Sequence, residues 1–178
     1  MPKPVMFLDV DGVLNAFRKS PWAEVTKTRV YPEGYEHGFL IQTSPLLGQR
    51  LLELEADIHW LTTWKDEANV HISPLVGFPD DLPVVEWERR FSEGWSITGK
   101  GRAVRTWQEE NPDHPFIWID DEHASGVTDH GHYLIVGPEP GTGLTPEEIT
   151  TIEDWILSRA ALRPPSSASD ASRSGSTR

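Results

Sequence analysis

The sequence predicts an α/β fold in which helices pack against a mostly parallel central sheet. Short apolar runs, typical of strands buried on both faces, occur at residues 5–8, 116–119 and 133–136. Amphipathic segments with helical spacing separate these runs, as expected when helices connect parallel strands. With 178 residues, the chain is long enough for one domain with its own core.

The composition restricts the classes of function. The chain has no cysteine, which excludes disulfides and thiol chemistry and favours an intracellular protein. Its first apolar run is too short for a signal peptide or a membrane span, so we expect a cytoplasmic protein without membrane contact. A net charge of −12 argues against charge-driven binding to nucleic acid, although it does not exclude a local basic groove.

Two carboxylates follow the first predicted strand. Asp9 and Asp11 come directly after Val5–Leu8, and Gly12 follows them. Residues two apart on an extended chain point to the same side, so the two carboxylates would repel each other without a bound cation or proton. A glycine at this point permits a sharp turn and brings backbone N–H groups close to an anion.

The pattern of residues 16–41 predicts a flap. Residues 16–31 are polar, and the strand-like residues 28–31 and 38–41 flank a turn at 32–34, which predicts a hairpin. A helix is predicted after Ser44, its N-cap. The leucines predicted to form the apolar face of this helix are Leu47, Leu51, Leu52 and Leu54.

The middle of the chain contains a second predicted strand at residues 57–64 and a helix that begins within residues 65–69. Residues 73–98 allow no assignment apart from a possible short strand at 84–87. An amphipathic helix is predicted after residues 99–101 and ends before Asn111-Pro112.

The last part of the chain contains two strands and a capped helix. Asp120 and Asp121 follow the strand at 116–119. Thr145 and Glu148 form a capping box, and their helix is predicted to reach about Leu162. Its predicted core face consists of Ile149, Ile152, Ile156 and Leu157. Residues 164–178 lack apolar periodicity and are predicted to be a disordered tail.

The polar residues at the strand ends should meet in space. Parallel strands joined by crossovers end at one edge of the sheet, where ligands bind. The residues that follow such ends are Asp9, Asp11, Thr62, Asp120 and Asp121. Carboxylate oxygens suit a hard cation such as Mg²⁺, which commonly acts together with phosphate. A hydroxyl and a lysine, here Thr62 and Lys100, would complete a phosphate site.

These residues carry a family resemblance. Residues 9–13, Asp-Val-Asp-Gly-Val, resemble the first motif of the haloacid dehalogenase (HAD) superfamily of aspartyl-phosphate phosphatases. Residues 60–62 resemble its second motif, Lys100 its third and residues 119–121 its fourth. The order and approximate spacing of the motifs are similar to those of the superfamily over residues 4–160.

Within the superfamily, three stretches are most similar to a small HAD family associated with RNA repair proteins. They are Trp-Leu-Thr-Thr-Trp at residues 60–64, Trp-Ile-Asp-Asp-Glu at 118–122 and Gly-Leu-Thr at 143–145. The resemblance implies a three-layer Rossmann-like domain over residues 1–163. It has a small hairpin flap at about 15–43 and no large cap domain.

The resemblance also implies roles for individual residues in a double displacement. Asp9 would attack phosphorus and form an aspartyl-phosphate. Asp11 would protonate the leaving oxygen and then accept a proton from the hydrolytic water. Thr62 would hold the phosphoryl oxygens together with Lys100. Thr63 is the alternative to Thr62 in this role.

The implied cofactor is Mg²⁺, bound by Asp9, the backbone carbonyl of Asp11, and Asp120 or Asp121. The cation would neutralise charge between the nucleophile and the phosphate. Without it, an anionic carboxylate approaching an anionic phosphate would be strongly disfavoured. The backbone at Gly12 would also contact the phosphate.

Each of these residues also has a structural interpretation. Asp9 and Asp11 are residue types that form turns, Thr62 is able to end a strand, and Lys100 is able to precede a helix as a solvated lysine. Residues whose packing or surface role is favoured over ligand binding are His123, His130, His132, Trp22, Trp64 and Trp95.

The substrate is open at this stage. A flap without a cap would admit the phosphorylated end of a nucleic acid or protein as well as small phosphate esters. The basic residues of the flap, which either contact a polyanion or are surface charges, are Arg18, Lys19, Lys27 and Arg29. The alternatives to a phosphatase are a nucleic-acid end-processing enzyme, a non-catalytic phospho-binding module and a phosphotransferase, which would need a cap to exclude water.

Overall fold

The computed structural model of the protein describes residues 2–87 and 99–161. Its elements, in chain order, are β1 Val5–Leu8, β2 Thr26–Val30, β3 Phe39–Thr43, α1 Pro45–Glu53, β4 Asp57–Trp60, α2 Glu67–His71, α3 Ser73–Val76, α4 Gly99–Glu110, β5 Phe116–Ile119, β6 Gly126–Asp129, β7 Tyr133–Gly137 and α5 Pro146–Ala161. This is the predicted α/β architecture.

Five strands form the central sheet, in the order β4-β1-β5-β7-β6. All neighbouring pairs are parallel except β6 and β7, which are antiparallel. β1 lies between β4 and β5, and Leu8 is level with Trp60 on one side and Ile119 on the other. The residues that follow these three positions therefore leave the sheet at one edge.

Side chains of β1 alternate between the two faces of the sheet, and each face has its own core. Met6 and Leu8 belong to the larger cluster, which includes residues of α1 and α5. Val5 and Phe7 pack on the opposite face with Val104 of α4. The sheet thus has helices on both faces, which is the three-layer Rossmann-like arrangement, and the part of the chain that the structure describes contains no cap domain.

The predicted hairpin is present, with β2 and β3 antiparallel and Val30 opposite Phe39. The two predicted N-caps are also confirmed, whereas α4 already includes residues 99–101, after which its start was predicted. The Ser44 hydroxyl accepts a hydrogen bond from the Leu46 N–H at 3.2 Å at the start of α1. At the start of α5, the Thr145 hydroxyl accepts from the Glu148 N–H at 3.2 Å, and Glu148 accepts from the Thr145 N–H at 2.8 Å.

Two predicted core residues are exposed. Leu52 is 45% exposed on α1 and Leu157 is 58% exposed on α5. Each lies within a helix whose other apolar residues already cover the sheet, so the apolar pattern overestimated the width of the buried face. Trp155, which the pattern did not select, is buried in α5.

The strand predictions need three corrections. β6 was missed because Gly-Val-Thr-Asp has little apolar character, as an exposed edge strand permits. The second strand ends at Trp60 rather than Trp64, because the chain turns at residues 62–66. Residues 84–87 form only an isolated bridge, between Val84 and Trp60.

Some predictions concern residues outside the two described ranges. The predicted tail at 164–178, the domain boundary at residue 163, the end of α5 at Leu162 and the packing of Trp95 lie outside the described residues. Across residues 2–87 and 99–161, no helix combines the length and the apolar character that a membrane span requires.

Candidate active site

Asp9 lies at the end of β1, in the middle of the sheet edge. Its backbone N–H donates to the Ile119 carbonyl at 3.1 Å, which continues the pairing of β1 with β5 for one residue. The carboxylate is buried. Its Oδ1 accepts from the Val10 N–H at 2.7 Å, and its Oδ2 accepts from Lys100 Nζ at 2.5 Å.

Lys100 extends from the first turn of α4 to the ends of two strands. It is 2% exposed. Its Nζ contacts Asp120 Oδ2 at 2.8 Å as well as Asp9, so one ammonium bridges two buried carboxylates. A buried lysine is costly unless it is paired. Lys100 is therefore part of the carboxylate cluster and not a solvated lysine.

Asp120 and Asp121 follow β5 and reach the same place. Asp120 is fully buried, and its Oδ1 accepts from the Glu122 N–H at 3.0 Å. Asp121 is half-buried and approaches the loop after β1 so closely that a Cβ at Gly12 would lie 2.2 Å from Asp121 Oδ2. Gly12 also has a φ of +70°, which favours glycine. The loop between β1 and the flap thus needs glycine at position 12.

Three carboxylates form a group that could hold a metal ion. Single oxygen atoms of Asp9, Asp120 and Asp121 all lie within 4.8 Å of one another. Oxygen donors from carboxylates are the ligands of a hard divalent cation such as Mg²⁺. The donor set therefore fits Mg²⁺, with the carboxylates of both Asp120 and Asp121 within its reach.

The Asp11 carboxylate is not in that group. Its Oδ1 accepts from Asn15 Nδ2 at 2.7 Å and its Oδ2 accepts from the Trp64 indole Nε1 at 2.9 Å. β1 ends at Leu8, so Asp9 and Asp11 are not on an extended strand, where their side chains would point to the same side as predicted. The backbone carbonyl of Asp11, the metal ligand that the resemblance implies, stays a prediction.

The two threonines after β4 differ in burial. Thr62 is buried, its hydroxyl accepts from the Trp64 N–H at 3.3 Å, and its side chain is close enough to Asp9 to act against the rise in the pKa of that carboxyl. Thr63 is exposed. Of the two hydroxyls, the one of Thr62 is thus next to the carboxylate cluster.

Burial dominates the electrostatics of the cluster. It raises the pKa of Asp9 to about 7, with a smaller contribution from Asp120 and against the opposing effect of Lys100. Burial, followed by the Asp120 carboxylate, also raises the pKa of Asp121. For Lys100, burial acts to lower the pKa, but the carboxylates of Asp9 and Asp120 outweigh it and hold the pKa above its usual range. Burial thus disfavours the charged forms of Asp9 and Asp121, and Lys100 opposes this effect.

Sequence reasoning missed the residues that hold Asp11. Trp64 was interpreted as a packing residue, and it does belong to the core, but its indole N–H also binds Asp11. Asn15 lies two residues after the first motif and contacts Asp11, four residues earlier in the chain. Trp64 lies in a stretch that carries the resemblance and Asn15 lies close to another, but no pattern in the chain indicates which polar atoms pair.

The histidines contact aromatic rings. His123 packs edge-on against Trp118 with ring centroids 4.2 Å apart, and His130 stacks on Tyr133 at 4.7 Å. Among the residues described, the acidic group that could hold a metal includes no histidine. These contacts agree with a packing role.

Comparison with known proteins identifies a family. The model of the HAD domain in Swiss Army Knife RNA repair proteins matches residues 5–149. Searches of curated proteins and of solved structures return no match. The matched segment begins with β1 and ends within α5, so it includes every residue of the carboxylate cluster. The chain therefore belongs to the family of HAD domains found in Swiss Army Knife RNA repair proteins.

Proposed function

We propose that the protein is a Mg²⁺-dependent phosphomonoester hydrolase that acts through an aspartyl-phosphate. The observation that carries the proposal is the cluster of Asp9, Asp120 and Asp121 at the ends of two adjacent parallel strands, with Lys100 between two of its members. Membership of a HAD family supports the same reaction class.

Asp9 is the nucleophile in this proposal. A carboxylate oxygen of Asp9 forms a bond to phosphorus while the bond from phosphorus to the ester oxygen breaks. Asp9 with Asp120 or Asp121 would hold Mg²⁺, which would supply the positive charge that allows two anions to approach each other. Water then hydrolyses the aspartyl-phosphate and regenerates the Asp9 carboxylate.

Asp11 transfers the protons. It donates a proton to the leaving ester oxygen and later accepts one from the attacking water. Its hydrogen bonds to Asn15 and Trp64 keep the carboxyl group in one orientation, apart from the carboxylate cluster. This separation suits an acid that must act on the side of the phosphate away from the nucleophile.

Lys100 and Thr62 bind the phosphoryl oxygens. Both are buried beside Asp9, and the charge of the lysine and the hydroxyl of the threonine match the oxygens of a phosphoryl group. Thr63 is a weaker candidate because its side chain is exposed. In the proposed complex, Mg²⁺ would be bound by the carboxylates that Lys100 now contacts. A phosphoryl oxygen of the substrate would then be bound by Lys100.

A terminal phosphate of RNA is the second, more specific candidate. It is favoured by the family's description and by the absence of a cap domain in the described part of the chain. The flap's positive charge supports it less. Arg18 pairs with Glu139 at 3.0 Å, and Arg29 donates to the His37 carbonyl at 2.8 Å.

The test is a phosphatase assay with Mg²⁺, using an aryl phosphate and oligoribonucleotides phosphorylated at the 5′ or 3′ end. We expect Asp9→Asn to lower turnover by more than about a thousandfold, because it removes the nucleophile. Asp113→Asn, an exposed acid after α4, is the matched control and should retain full activity. Lack of turnover on every substrate would favour a non-catalytic phospho-binding module.

A further inference from the structure

A row of aromatic rings runs from the flap to the candidate active site. The rings of Tyr35 and Phe39 are 4.9 Å apart, and those of Phe39 and Trp64 are 5.4 Å apart. The Trp64 indole binds Asp11 at 2.9 Å. We refer to Tyr35, Phe39 and Trp64 as the aromatic row. It connects the surface of the flap to the proposed acid–base residue.

Burial increases along the row towards the site. Tyr35 is 58% exposed and Phe39 is 40% exposed, whereas Trp64 is buried. Exposed neighbouring aromatic rings lose the free energy that burial in a core would provide. Tyr35 and Phe39 therefore form an exposed apolar surface, which Trp64 separates from Asp11.

Phe39, the middle ring of the row, lies on one face of the hairpin. Phe39 is on the same face as Ile41, which is buried in the core, so this face is directed towards the body of the protein. Arg29 and Leu40, which are opposite each other, are on the other face. Phe39 thus faces the body of the protein, where it contacts Trp64, whereas Arg29 of β2 is on the other face.

A ligand with a flat ring and a phosphate would match this arrangement. We propose that the two exposed rings of the aromatic row, those of Tyr35 and Phe39, bind by stacking the nucleobase of the nucleotide that carries the scissile phosphate. This inference rests on the proposed phosphatase function and specifies its substrate as a nucleotide or the terminal nucleotide of a nucleic acid.

The charge of the protein favours stacking over contacts with the phosphate backbone. A net charge of −12 opposes binding that depends on many phosphate contacts. Stacking of a base on an aromatic side chain requires no positive charge and tolerates any base, because every base has a π-face. A short row of rings serves a terminal nucleotide and not a long strand.

The test compares two substrates that differ by one base. One is an oligoribonucleotide with a phosphorylated terminal adenosine, and the other has the same terminal phosphate on an abasic ribose. We expect the wild-type protein to favour the adenosine substrate by about 10- to 100-fold in kcat/KM, the range of one stacked base. Phe39→Leu should reduce this ratio towards one, because it retains apolar volume without the ring.

Two variants control for other effects. Phe39→Tyr retains the ring and should retain the preference. Leu40→Ala removes an apolar side chain that is 52% exposed on the other face of the same hairpin and should leave the ratio unchanged. Equal kcat/KM for the two substrates in the wild-type protein overturns the inference while leaving the phosphatase proposal intact.

A binding measurement separates the two proposals if no substrate is hydrolysed. A terminal nucleotide with the fluorescent base 2-aminopurine is titrated with the protein in the presence of Mg²⁺. Quenching that Phe39→Leu weakens and Phe39→Tyr retains supports the stacking site even if the phosphatase proposal fails. Absence of quenching overturns the stacking site.

Discussion

At the scale of single residues, the carboxyl group of Asp11 depends on two neutral donors. Asn15 comes from the same loop, whereas Trp64 comes from the loop after β4, 53 residues further along the chain. The Trp64 contact therefore ties the orientation of Asp11 to the packing of another element. It also places the end of the aromatic row against the same residue.

Replacing Trp64 with phenylalanine tests whether the Trp64 indole orients Asp11. The change retains a ring beside Phe39 but removes the indole N–H that binds Asp11. We expect kcat to fall about tenfold with little change in KM, because a poorly oriented acid transfers its proton less efficiently. Steady-state kinetics with an aryl phosphate measure both parameters.

Trp22 provides the matched control, since its indole donates to the Leu144 carbonyl at 2.7 Å and makes no contact with Asp11. Trp22→Phe should lose a similar amount of stability, about 1 kcal/mol, without loss of kcat. Equal losses of kcat in the two variants would contradict a specific role for Trp64.

At the scale of elements, the loop after β1 and the loop after β5 are in contact at Gly12. The side chain of Asp121 occupies the space where any other residue at position 12 would place its Cβ. The glycine is thus needed for two reasons, its positive φ and the approach of a carboxylate. The contact holds two members of the site, Asp9 and Asp121, at a set distance through their loops.

A comparison of Gly12→Ala with Gly34→Ala distinguishes the effect of the positive φ from the effect of the contact with Asp121. Gly34 in the flap has a φ of +82°, but no atom lies within 4 Å of the position that a Cβ would take there. Both variants incur the conformational cost of a positive φ, whereas Gly12→Ala must also displace Asp121. We expect the loss of unfolding free energy to be at least about 1 kcal/mol larger for Gly12→Ala.

Chemical denaturation measures that difference, and calorimetry with Mg²⁺ measures its effect on the site. Gly12→Ala should bind Mg²⁺ more weakly, since Asp121 is moved, while Gly34→Ala should bind it as the wild-type protein does. Unchanged Mg²⁺ affinity in Gly12→Ala would show that Asp121 is not a ligand.

At the scale of the whole molecule, the site is a buried group of opposite charges between the central sheet and a helix. Asp9 and Asp120 end two strands, and Lys100 comes from a helix on one face of the sheet. The three buried charges connect the sheet to α4. The cluster should therefore affect global stability as well as catalysis.

Lys100→Met should lower the unfolding free energy at pH 8 by about 3 kcal/mol, because it leaves two buried carboxylates without their cation. Millimolar Mg²⁺ should restore part of this loss, since a bound cation replaces the missing charge. Urea denaturation with and without Mg²⁺ measures both effects.

The exposed pair of Lys3 and Asp57, 3.2 Å apart, offers a contrast. Lys3→Met should cost at most about 1 kcal/mol and should not alter the response to Mg²⁺. If Mg²⁺ stabilises Lys100→Met no more than it stabilises Lys3→Met, a cation is not bound by this cluster.

The sequence by itself determined the α/β fold and the sheet edge at which the candidate site residues meet. Apolar runs such as Val5–Leu8 identify buried strands, and parallel strands must end at a common edge. These are local properties of the sequence, so they can be recognised without the tertiary structure. The capped starts of α1 and α5 were predictable for the same reason.

Only the tertiary structure decided which polar atoms pair within the site and which apolar residues remain exposed. That Lys100 bridges Asp9 and Asp120, and that Trp64 binds Asp11, depends on contacts between segments far apart in the chain. The exposure of Phe39 likewise depends on how the flap lies against the body. Such contacts are set by packing in three dimensions, which a one-dimensional pattern of residue types does not encode.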